Sequence, residues 1–429
     1  MALYTTSKVY NSFFLALLYG LALFVIQFFF AKLGLVSETP NSVSLLRYDA
    51  GIYENISRIG YEYPDKHYNN TGAFLLFAAM WHLLHVGITG ISIVNIVLFS
   101  VGFAILCELY PTSTKMKVLW LSTPSLYFMI VPYTEALFFM LAAFAFYGIE
   151  KEKKWLIWVA LFLLSLTRAT ALFLLPGLLL MELIKNEGRF DLKQVFYILL
   201  QYAAPILTGL TVFVVVQYSQ TGVWFAYFKQ QATALGHKWA IPTFPLNNFL
   251  GGPATNWLAG LALFVSLVAF SLLLRAIFDR VNLKRITYGK VQILSFTYLA
   301  VTAFSVIFFS PTWGSGTTNL TALHRYTFAT PFFFVFMHKT LEEADNYKLN
   351  HFTLAVFLCN LSWLCMGSYI HIQHLLFWNV LTLLVAVYML YSNSNTSKKH
   401  EWAPLVLVAF NAFVQVSLFQ RYLNNIYTD

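Results

Sequence analysis

The first long apolar run of the chain is FFLALLYGLALFVIQFFFA, residues 13–31. About 20 apolar residues in an α-helix are needed to cross the roughly 30 Å hydrocarbon core of a bilayer, and this run is long enough. It is too long for the apolar core of a signal peptide, and no A-x-A-like cleavage site follows it. We therefore expect a retained membrane span.

Apolar runs of similar length recur along the rest of the chain. Of its 429 residues, 59% are hydrophobic and only 10% are charged, a composition that soluble globular domains do not have. The fold class that follows is all-α: a polytopic transmembrane bundle of about 12–13 helical spans. No linker is long enough to separate two domains, so we expect one integral-membrane domain over residues 1–429.

The formal net charge of +9 would suggest nucleic-acid binding in a soluble protein. Here it is better explained by cytoplasmic loops rich in Lys and Arg, because most of the 27 Lys and Arg residues fall in segments that the alternation of spans puts inside. We expect no nucleic-acid partner. The same alternation puts three loops on the outer face: residues 32–86, 219–256 and 310–325.

The segment LLRYDAGIYENISRIGY, residues 45–61, follows the first span and carries charges and aromatic residues in a helical period. At about 100° per residue, one apolar stripe contains Leu45, Ile52, Ile56 and Ile59, and Asp49 falls inside it. A carboxylate there is unfavourable unless a partner neutralises it or a reaction uses it. Two interpretations stay open: Asp49 is a structural residue paired with an Arg or a Tyr hydroxyl, or it is a catalytic base.

Several other polar residues of the predicted outer side lie at membrane depth or just above it. With Asp49 they are Glu135, Arg168, His237, Lys238, His324 and Arg325. Charges at such depth usually face a cavity and pair with one another. Carboxylates beside cations suit a reaction on a phosphate-linked substrate, because Arg binds phosphate oxygens in pairs and a carboxylate can accept a proton. A helix-dipole contact for Glu135 and a snorkelling Arg168 are the structural alternatives.

The histidines and cysteines do not indicate a metal site. His82 and His85 lie one helical turn apart, as do His371 and His374, but neither pair has an acidic or thiolate partner nearby in sequence. The three cysteines, Cys107, Cys359 and Cys365, all lie in apolar runs. No paired-aspartate motif occurs in the outer loops. We therefore expect interfacial histidines, no metal ion and no cofactor.

The segment around Asp49 also resembles a family signature. Arg47-Tyr48-Asp49-Ala50-Gly51-Ile52-Tyr53 with Ile59-Gly60-Tyr61 resembles the R-W-D-x-x-x-Y…x-G-Y pattern. That pattern belongs to the mannosyltransferases that add the second mannose to GPI anchors (PIG-V) and to their bacterial relatives. The family continues with a run like A-F-F-P-L-Y-P, whereas residues 73–77 read AFLLF and lack both prolines.

Further matches follow in the family's order, up to residue 332. Residues 132–138, PYTEALF, are similar to the P-Y-S/T-E-x-L-F segment, and residues 166–170, LTRAT, to S/L-T-R-x-x-G without its glycine. Residues 230–232, QQA, and 236–242, GHKWAIP, resemble a Q-x-x-W-G-R/H…P stretch in which Leu235 replaces the Trp. His324-Arg325-Tyr326 through Pro331-Phe332 resembles the R-Y…P-L/F element.

The resemblance implies a GT-C-type glycosyltransferase that takes a sugar, mannose in the family, from a polyprenyl-phosphate donor at the outer or luminal face. The acceptor would be a lipid or a glycan, and transfer would invert the anomeric carbon. Asp49 would be the base. The substrate and phosphate contacts would come from Arg325, Arg168, Lys238, His237, His324, Glu135, Gln231 and Tyr53. The donor is a co-substrate, so no cofactor is implied.

Other classes of membrane protein remain as alternatives. A transporter or flippase for lipid-linked sugars would show an internal repeat and charged residues at mid-span in paired broken helices. An O-antigen ligase or polymerase would carry one very large outer loop in its second half. A structural membrane subunit would leave the position of Asp49 unexplained. For the location, we expect the bacterial cytoplasmic membrane, or the endoplasmic reticulum if the source is eukaryotic.

Overall fold

The computed structural model describes residues 2–63, 69–185, 192–233, 236–248, 252–309, 316–342, 349–367 and 403–428. Within these ranges the secondary structure is helical, apart from one isolated β-bridge between Asn247 and Asn319. The predicted all-α bundle is confirmed. The helices named below are numbered in chain order.

The amino-terminal half begins with α1 (Ala2–Lys32), α2 (Asp49–Ile59), α3 (Leu75–Leu84), α4 (Ile88–Leu109) and α5 (Thr114–Leu121). It continues with α6 (Glu135–Glu150), α7 (Lys154–Ser165), α8 (Leu174–Lys185), α9 (Leu192–Ile198) and α10 (Ala204–Thr221). The carboxyl-terminal half contains α11 (Ala226–Thr233), α12 (Gly252–Val281), α13 (Lys290–Phe308), α14 (Leu323–Phe328), α15 (Pro331–Glu342), α16 (Leu349–Cys365) and α17 (Ala403–Leu423).

Six of the described helical stretches are long and apolar enough to cross a bilayer. They are Val9–Lys32, Ile88–Leu109, Leu192–Thr221, Thr255–Val281, Lys290–Phe308 and Leu405–Leu423. The protein is therefore an integral, multi-pass membrane protein. The predicted number of 12–13 spans stays a prediction, because residues 368–402 lie outside the described ranges.

Several predicted spans are irregular because they run through the interior of the bundle. Between α5 and α6 the chain forms a 3₁₀ turn, Pro124–Met129, whose residues are all buried. The Asn95 side chain of α4 donates hydrogen bonds to the backbone oxygens of Val131 (2.6 Å) and Tyr133 (3.0 Å). Non-helical backbone is tolerated at membrane depth where protein surrounds it and satisfies its polar groups.

A π-helical turn, Leu199–Ala203, joins α9 to α10. Pro205 follows it and has no N–H to complete the i to i−4 hydrogen bond with Gln201. The helix departs from regular α geometry at this point, as helices do next to a proline. The Gln201 side chain donates to the backbone oxygen of Lys154, at 2.9 Å, and so connects this turn to the start of α7.

The first loop contains α2, a 3₁₀ turn at Asn70–Gly72, and α3. Two contacts join α2 to α3. His82 Nδ1 lies 2.6 Å from the backbone oxygen of Ser57, and the rings of Tyr53 and Phe77 pack edge to face. The predicted apolar stripe is wrong in detail. The buried face of α2 consists of Ala50, Tyr53, Ile56 and Ser57, whereas Ile59 is exposed and Leu45 precedes the helix.

The three loops on the Asp49 side of the bundle contact one another and the end of the chain. The backbone oxygen of Asn247, in the second loop, accepts a hydrogen bond from the Leu320 N–H of the third loop (2.6 Å). Gln220, near the end of α10, accepts one from the Tyr61 N–H of the first loop (2.7 Å). After α17, the buried Thr428 accepts one from Tyr127 at 2.7 Å. These contacts position the site described next.

Candidate active site

Four of the predicted site residues meet in one cluster of charges, Asp49, Glu135, Arg168 and Arg325, called here the Asp49 cluster. Arg325 Nη1 donates to Asp49 Oδ2 at 2.9 Å, and Arg325 Nε donates to Glu135 Oε1. Arg168 Nη1 donates to the same Glu135 oxygen at 2.8 Å. The formal charges of the two carboxylates and two guanidinium groups cancel.

Asp49, Glu135 and Arg168 lie at breaks in regular structure and Arg325 lies in the short helix α14, so four separate segments meet at the Asp49 cluster. Asp49 and Glu135 are the first residues of α2 and α6, where unpaired backbone N–H groups favour a negative charge. Arg168 has an extended backbone between α7 and the 3₁₀ turn Ala169–Phe173. Arg325 lies within α14, one residue beyond His324, so the predicted third loop ends earlier than residue 325.

The side chain of Asp49 is more exposed than those of the other three members of the Asp49 cluster. The side chains of Glu135, Arg325 and Arg168 are 0%, 4% and 9% exposed, whereas that of Asp49 is 40% exposed. Buried charges are strongly unfavourable unless they are paired, and here every buried charge has a partner of opposite sign. Asp49 is the member whose carboxylate a substrate can reach.

Aromatic rings hold both guanidinium groups. The guanidinium carbon of Arg325 lies 4.4 Å from the ring centre of Tyr133 and 5.1 Å from that of Phe128. That of Arg168 lies 4.7 Å from the ring centre of Tyr326. Cation–π contacts of this kind are strongest where water is excluded. The two arginines are therefore fixed by rings as well as by carboxylates.

Tyr53 and His324 are buried beside the Asp49 cluster. Burial, with smaller contributions from the negative charges of Asp49 and Glu135, raises the pKa of Tyr53, so its phenol stays neutral. His324 Nδ1 lies 3.0 Å from Ser125 Oγ, and burial lowers the pKa of this imidazole well below its ordinary value. Both residues therefore line the site as neutral groups, and His324 carries no cation there.

The predicted contacts from the second loop lie elsewhere. His237 Nδ1 is 2.7 Å from the backbone oxygen of Phe309, at the end of α13, and both His237 and Lys238 are exposed. Gln231 is partly buried, and its backbone oxygen accepts a hydrogen bond from the His237 N–H at 2.9 Å. His237 thus contacts the end of α13, and the predicted substrate contacts of all three residues stay predictions.

The sequence analysis missed several residues that shape the site. Tyr326 adjoins Arg325, and Tyr133 lies two residues before Glu135; this proximity in sequence was the available signal. Gln217 lies in an apolar span, where a polar side chain is itself a signal. It donates to the Thr71 oxygen (2.9 Å) and accepts from the Tyr227 N–H (3.0 Å), and so joins the first and second loops.

The histidine pairs add no metal site to the part of the chain that the structure describes. The rings of His82 and His85 are 5.8 Å apart, but no group of three or more His, Cys, Asp or Glu residues there could hold a metal ion. His371 and His374 lie outside the described residues.

Chemically, the site offers one accessible carboxylate whose orientation is fixed by a buried cation. Such a carboxylate can accept a proton from a hydroxyl group bound above it. The chain matches no protein-family model and no curated protein, and no solved structure matches it.

Proposed function

We propose that the protein is a GT-C-type glycosyltransferase that moves a sugar, mannose in the first instance, from a polyprenyl-phosphate donor to a hydroxyl of a lipid or glycan acceptor. The observation that carries this proposal is the accessible Asp49 carboxylate, held by Arg325 at 2.9 Å above otherwise buried charges. The membrane-embedded bundle suits a lipid-linked donor, and the resemblance of residues 47–332 to the PIG-V family supports the choice of reaction and sugar.

The proposed reaction is a single displacement. Asp49 accepts the proton of the acceptor hydroxyl as its oxygen bonds to the anomeric carbon, from the face opposite the lipid phosphate. The bond between that carbon and the phosphate oxygen breaks, and its electron pair leaves with the polyprenyl phosphate. A phosphate monoester leaves as an anion, so the reaction needs no second group to protonate the leaving group.

Arg325 was expected to bind the donor phosphate directly. Its guanidinium is almost fully buried and donates to Asp49 and Glu135, so in this arrangement it is not accessible to a phosphate. We infer that Arg325 orients Asp49 and that Arg168 neutralises Glu135 behind it. A direct contact between Lys238 and the phosphate stays a prediction, because this exposed lysine lies outside the Asp49 cluster.

The proposal is tested with purified protein, polyprenyl-phosphate mannose and a panel of lipid and glycan acceptors. Asp49→Asn keeps the size of the side chain and removes its basicity, so transfer should fall by roughly 10²-fold or more. Glu54→Gln is the matched control, because Glu54 lies on the same helix but pairs with the exposed Arg58. Transfer by a correctly folded Asp49→Asn variant at near the wild-type rate would exclude Asp49 as the base.

A transporter or flippase for lipid-linked sugars is the second candidate function. Paired intramembrane charges such as Glu135 and Arg168 also occur in transport pathways. Vesicles reconstituted with the protein separate the two classes. A transferase breaks the sugar–phosphate bond, whereas a flippase moves the donor intact to the opposite leaflet.

A further inference from the structure

The second loop exposes a set of large apolar side chains on the Asp49 side of the bundle. Trp224, Phe225 and Phe228 follow the end of α10; Trp239 lies beside the end of α13, and Ile241 and Phe244 follow it in the chain. We call these six residues the aromatic rim. Their exposed fractions run from 40% for Phe228 to 84% for Ile241. So much exposed apolar surface in one loop indicates contact with something other than water.

The aromatic rim lies level with the ends of two candidate spans. The Trp224 ring stacks on Tyr218 of α10, with ring centres 4.0 Å apart. The Trp239 ring stacks on Phe308 at 5.1 Å, and the neighbouring Ala240 N–H donates to the Phe308 oxygen. Aromatic side chains at span ends are typical of the boundary between hydrocarbon and headgroups.

The surface of the aromatic rim continues that of the spanning helix α13. Phe304 and Phe309, which both contact Trp239, are 48% and 45% exposed. The exposed side of a spanning helix faces lipid, so an apolar surface continuous with it is covered by the same lipid. This continuity identifies the bilayer, rather than a protein partner, as the occupant.

The charge of the second loop suits an anionic lipid surface. Residues 219–256 contain two lysines, Lys229 and Lys238, and no Asp or Glu. Both lysines are exposed, and each neighbours a rim residue in sequence, Phe228 or Trp239. Lysines next to inserted aromatic residues lie at the depth of the headgroup phosphates.

The opposite face of α11 is fixed to the protein. Ala226 and Gln230 are buried, and the Tyr227 ring packs against Phe74 of the first loop at 4.9 Å. The Tyr227 N–H also donates to Gln217. The helix thus has one face on the first loop, which carries Asp49, and the other on the aromatic rim.

We propose that the aromatic rim is a membrane-binding surface that inserts into the interface of the leaflet on the Asp49 side, where Lys229 and Lys238 bind the headgroup phosphates of anionic phospholipids. The surface fixes the height of the first loop, and hence of Asp49, relative to the bilayer. The inference needs no transferase activity, so it stands or fails independently of the proposed reaction.

The depth of the rim can be measured in the full chain after Cys107, Cys359 and Cys365 are replaced by serine. Single changes Phe228→Cys and Ile241→Cys receive a small environment-sensitive fluorophore, and the protein is placed in phosphatidylcholine nanodiscs. Lys151→Cys is the control, because Lys151 is exposed in the turn between α6 and α7. We expect brominated lipid to quench the labels at 228 and 241, and aqueous iodide to quench the label at 151.

Two outcomes of the depth measurement would overturn the proposal. Iodide quenching at 228 and 241 equal to that at 151 would put the rim in water. Equal protection from iodide and from brominated lipid would mean that protein covers it. Correct folding of each labelled variant is checked by its elution as a monodisperse species.

The part played by the lysines is tested by comparing nanodiscs of brominated phosphatidylglycerol with nanodiscs of brominated phosphatidylcholine. The label at 228 should be quenched more by the anionic lipid. Lys229→Gln and Lys238→Gln should each reduce that preference by up to about fivefold, the effect expected for one surface lysine. Lys151→Gln is the matched control and should leave the preference unchanged. A preference unaltered in the double variant would show that the lysines do not bind the headgroups.

Discussion

The two ends of the bundle both contain ion pairs, and the pairs differ in burial. On the Asp49 side, the side chains of Glu135 and Arg325 are 0% and 4% exposed. On the opposite side, Lys290 of α13 bonds Glu182 of α8 at 3.1 Å, with the side chains 40% and 17% exposed. Tyr202 donates to the same Glu182 oxygen at 2.8 Å. We call these three residues the Glu182 group.

The difference in burial indicates which end of the bundle has a role beyond stability. Ion pairs that water reaches contribute roughly 0–1 kcal/mol, and those of the Glu182 group belong to this class. Burying a charge cluster is costly, and apolar residues of similar volume often serve stability as well or better. Stability alone therefore does not account for the Asp49 cluster, and the proposed role of Asp49 as a base would explain why one carboxylate is left accessible.

The largest expected effect comes from Glu135→Gln. The change leaves the buried Arg168 and Arg325 without their shared carboxylate, so the free energy of unfolding should fall by roughly 3–5 kcal/mol. The matched change Glu182→Gln should lower it by about 1 kcal/mol, because water reaches Lys290. Thermal unfolding in detergent measures both. Equal losses in the two variants would remove the distinction between the two ends.

The sequence predicts the fold class and the members of the Asp49 cluster, but not the bonds between those members. The class of the fold follows from composition, and the membership of the Asp49 cluster follows from charges in apolar surroundings, as with Glu135 and Arg168. What could not be predicted is which charges bond one another. Arg325 was expected to face a phosphate, and its carboxylate partners come from segments 190 and 276 residues away in sequence.

Local details were also beyond reach. Packing against α3, where Tyr53 contacts Phe77, and not hydrophobicity alone, decides which face α2 buries, and Ile59 is exposed. The buried 3₁₀ turn at Pro124–Met129 depends on Asn95, whose side chain satisfies the backbone that follows the turn. Such pairings between distant residues leave no periodic trace in a sequence.

The second prediction concerns Arg325→Lys. A lysine keeps the charge but cannot reach Asp49 and Glu135 with two fixed donors, so one charged hydrogen bond should be lost, worth about 1.5–3 kcal/mol of unfolding free energy. On the opposite side, Lys290→Arg should change stability by less than about 1 kcal/mol.

Kinetics of Arg325→Lys then separate two roles for this residue. If Arg325 orients Asp49, turnover should fall while the KM for the donor changes little. If Arg325 binds the phosphate directly, the KM for the donor should rise instead. Unchanged turnover and unchanged KM would contradict both roles.

The third prediction uses pH. Burial lowers the pKa of His324, and the positive charge of Arg325 lowers it further, against a hydrogen bond with the backbone of Thr428. The unfolded chain therefore binds a proton at His324 at a higher pH than the folded protein does. Stability from the neutral imidazole is present above about pH 6.5 and is lost as the pH falls below it.

Comparing wild type with His324→Gln isolates the contribution of His324 to the pH dependence of stability, because the other histidines titrate in both proteins. From about pH 7.5 to about pH 5.5, wild type should lose more unfolding free energy than His324→Gln does. Parallel losses would show that His324 does not titrate between the two states. Glu182→Gln is the control from the opposite end of the bundle: it leaves His324 intact and should retain the wild-type pH slope.

The smallest expected effect compares two tyrosine hydroxyls. Tyr422 is fully buried and donates to the Leu45 oxygen at 2.8 Å, in the segment just before Asp49, whereas Tyr202 donates to the partly exposed Glu182. Tyr422→Phe leaves a buried carbonyl without its donor and should cost about 1–2 kcal/mol of unfolding free energy. Tyr202→Phe should cost about 0.5 kcal/mol, because water can replace the hydroxyl at Glu182.

Transfer activity distinguishes the two tyrosines further. Because Leu45 lies in the segment that leads into α2, only Tyr422→Phe should also reduce turnover, by a fewfold at most. If Tyr202→Phe reduced turnover as much as Tyr422→Phe did, the Glu182 group would have to be coupled to the site, and burial alone would no longer distinguish the two ends.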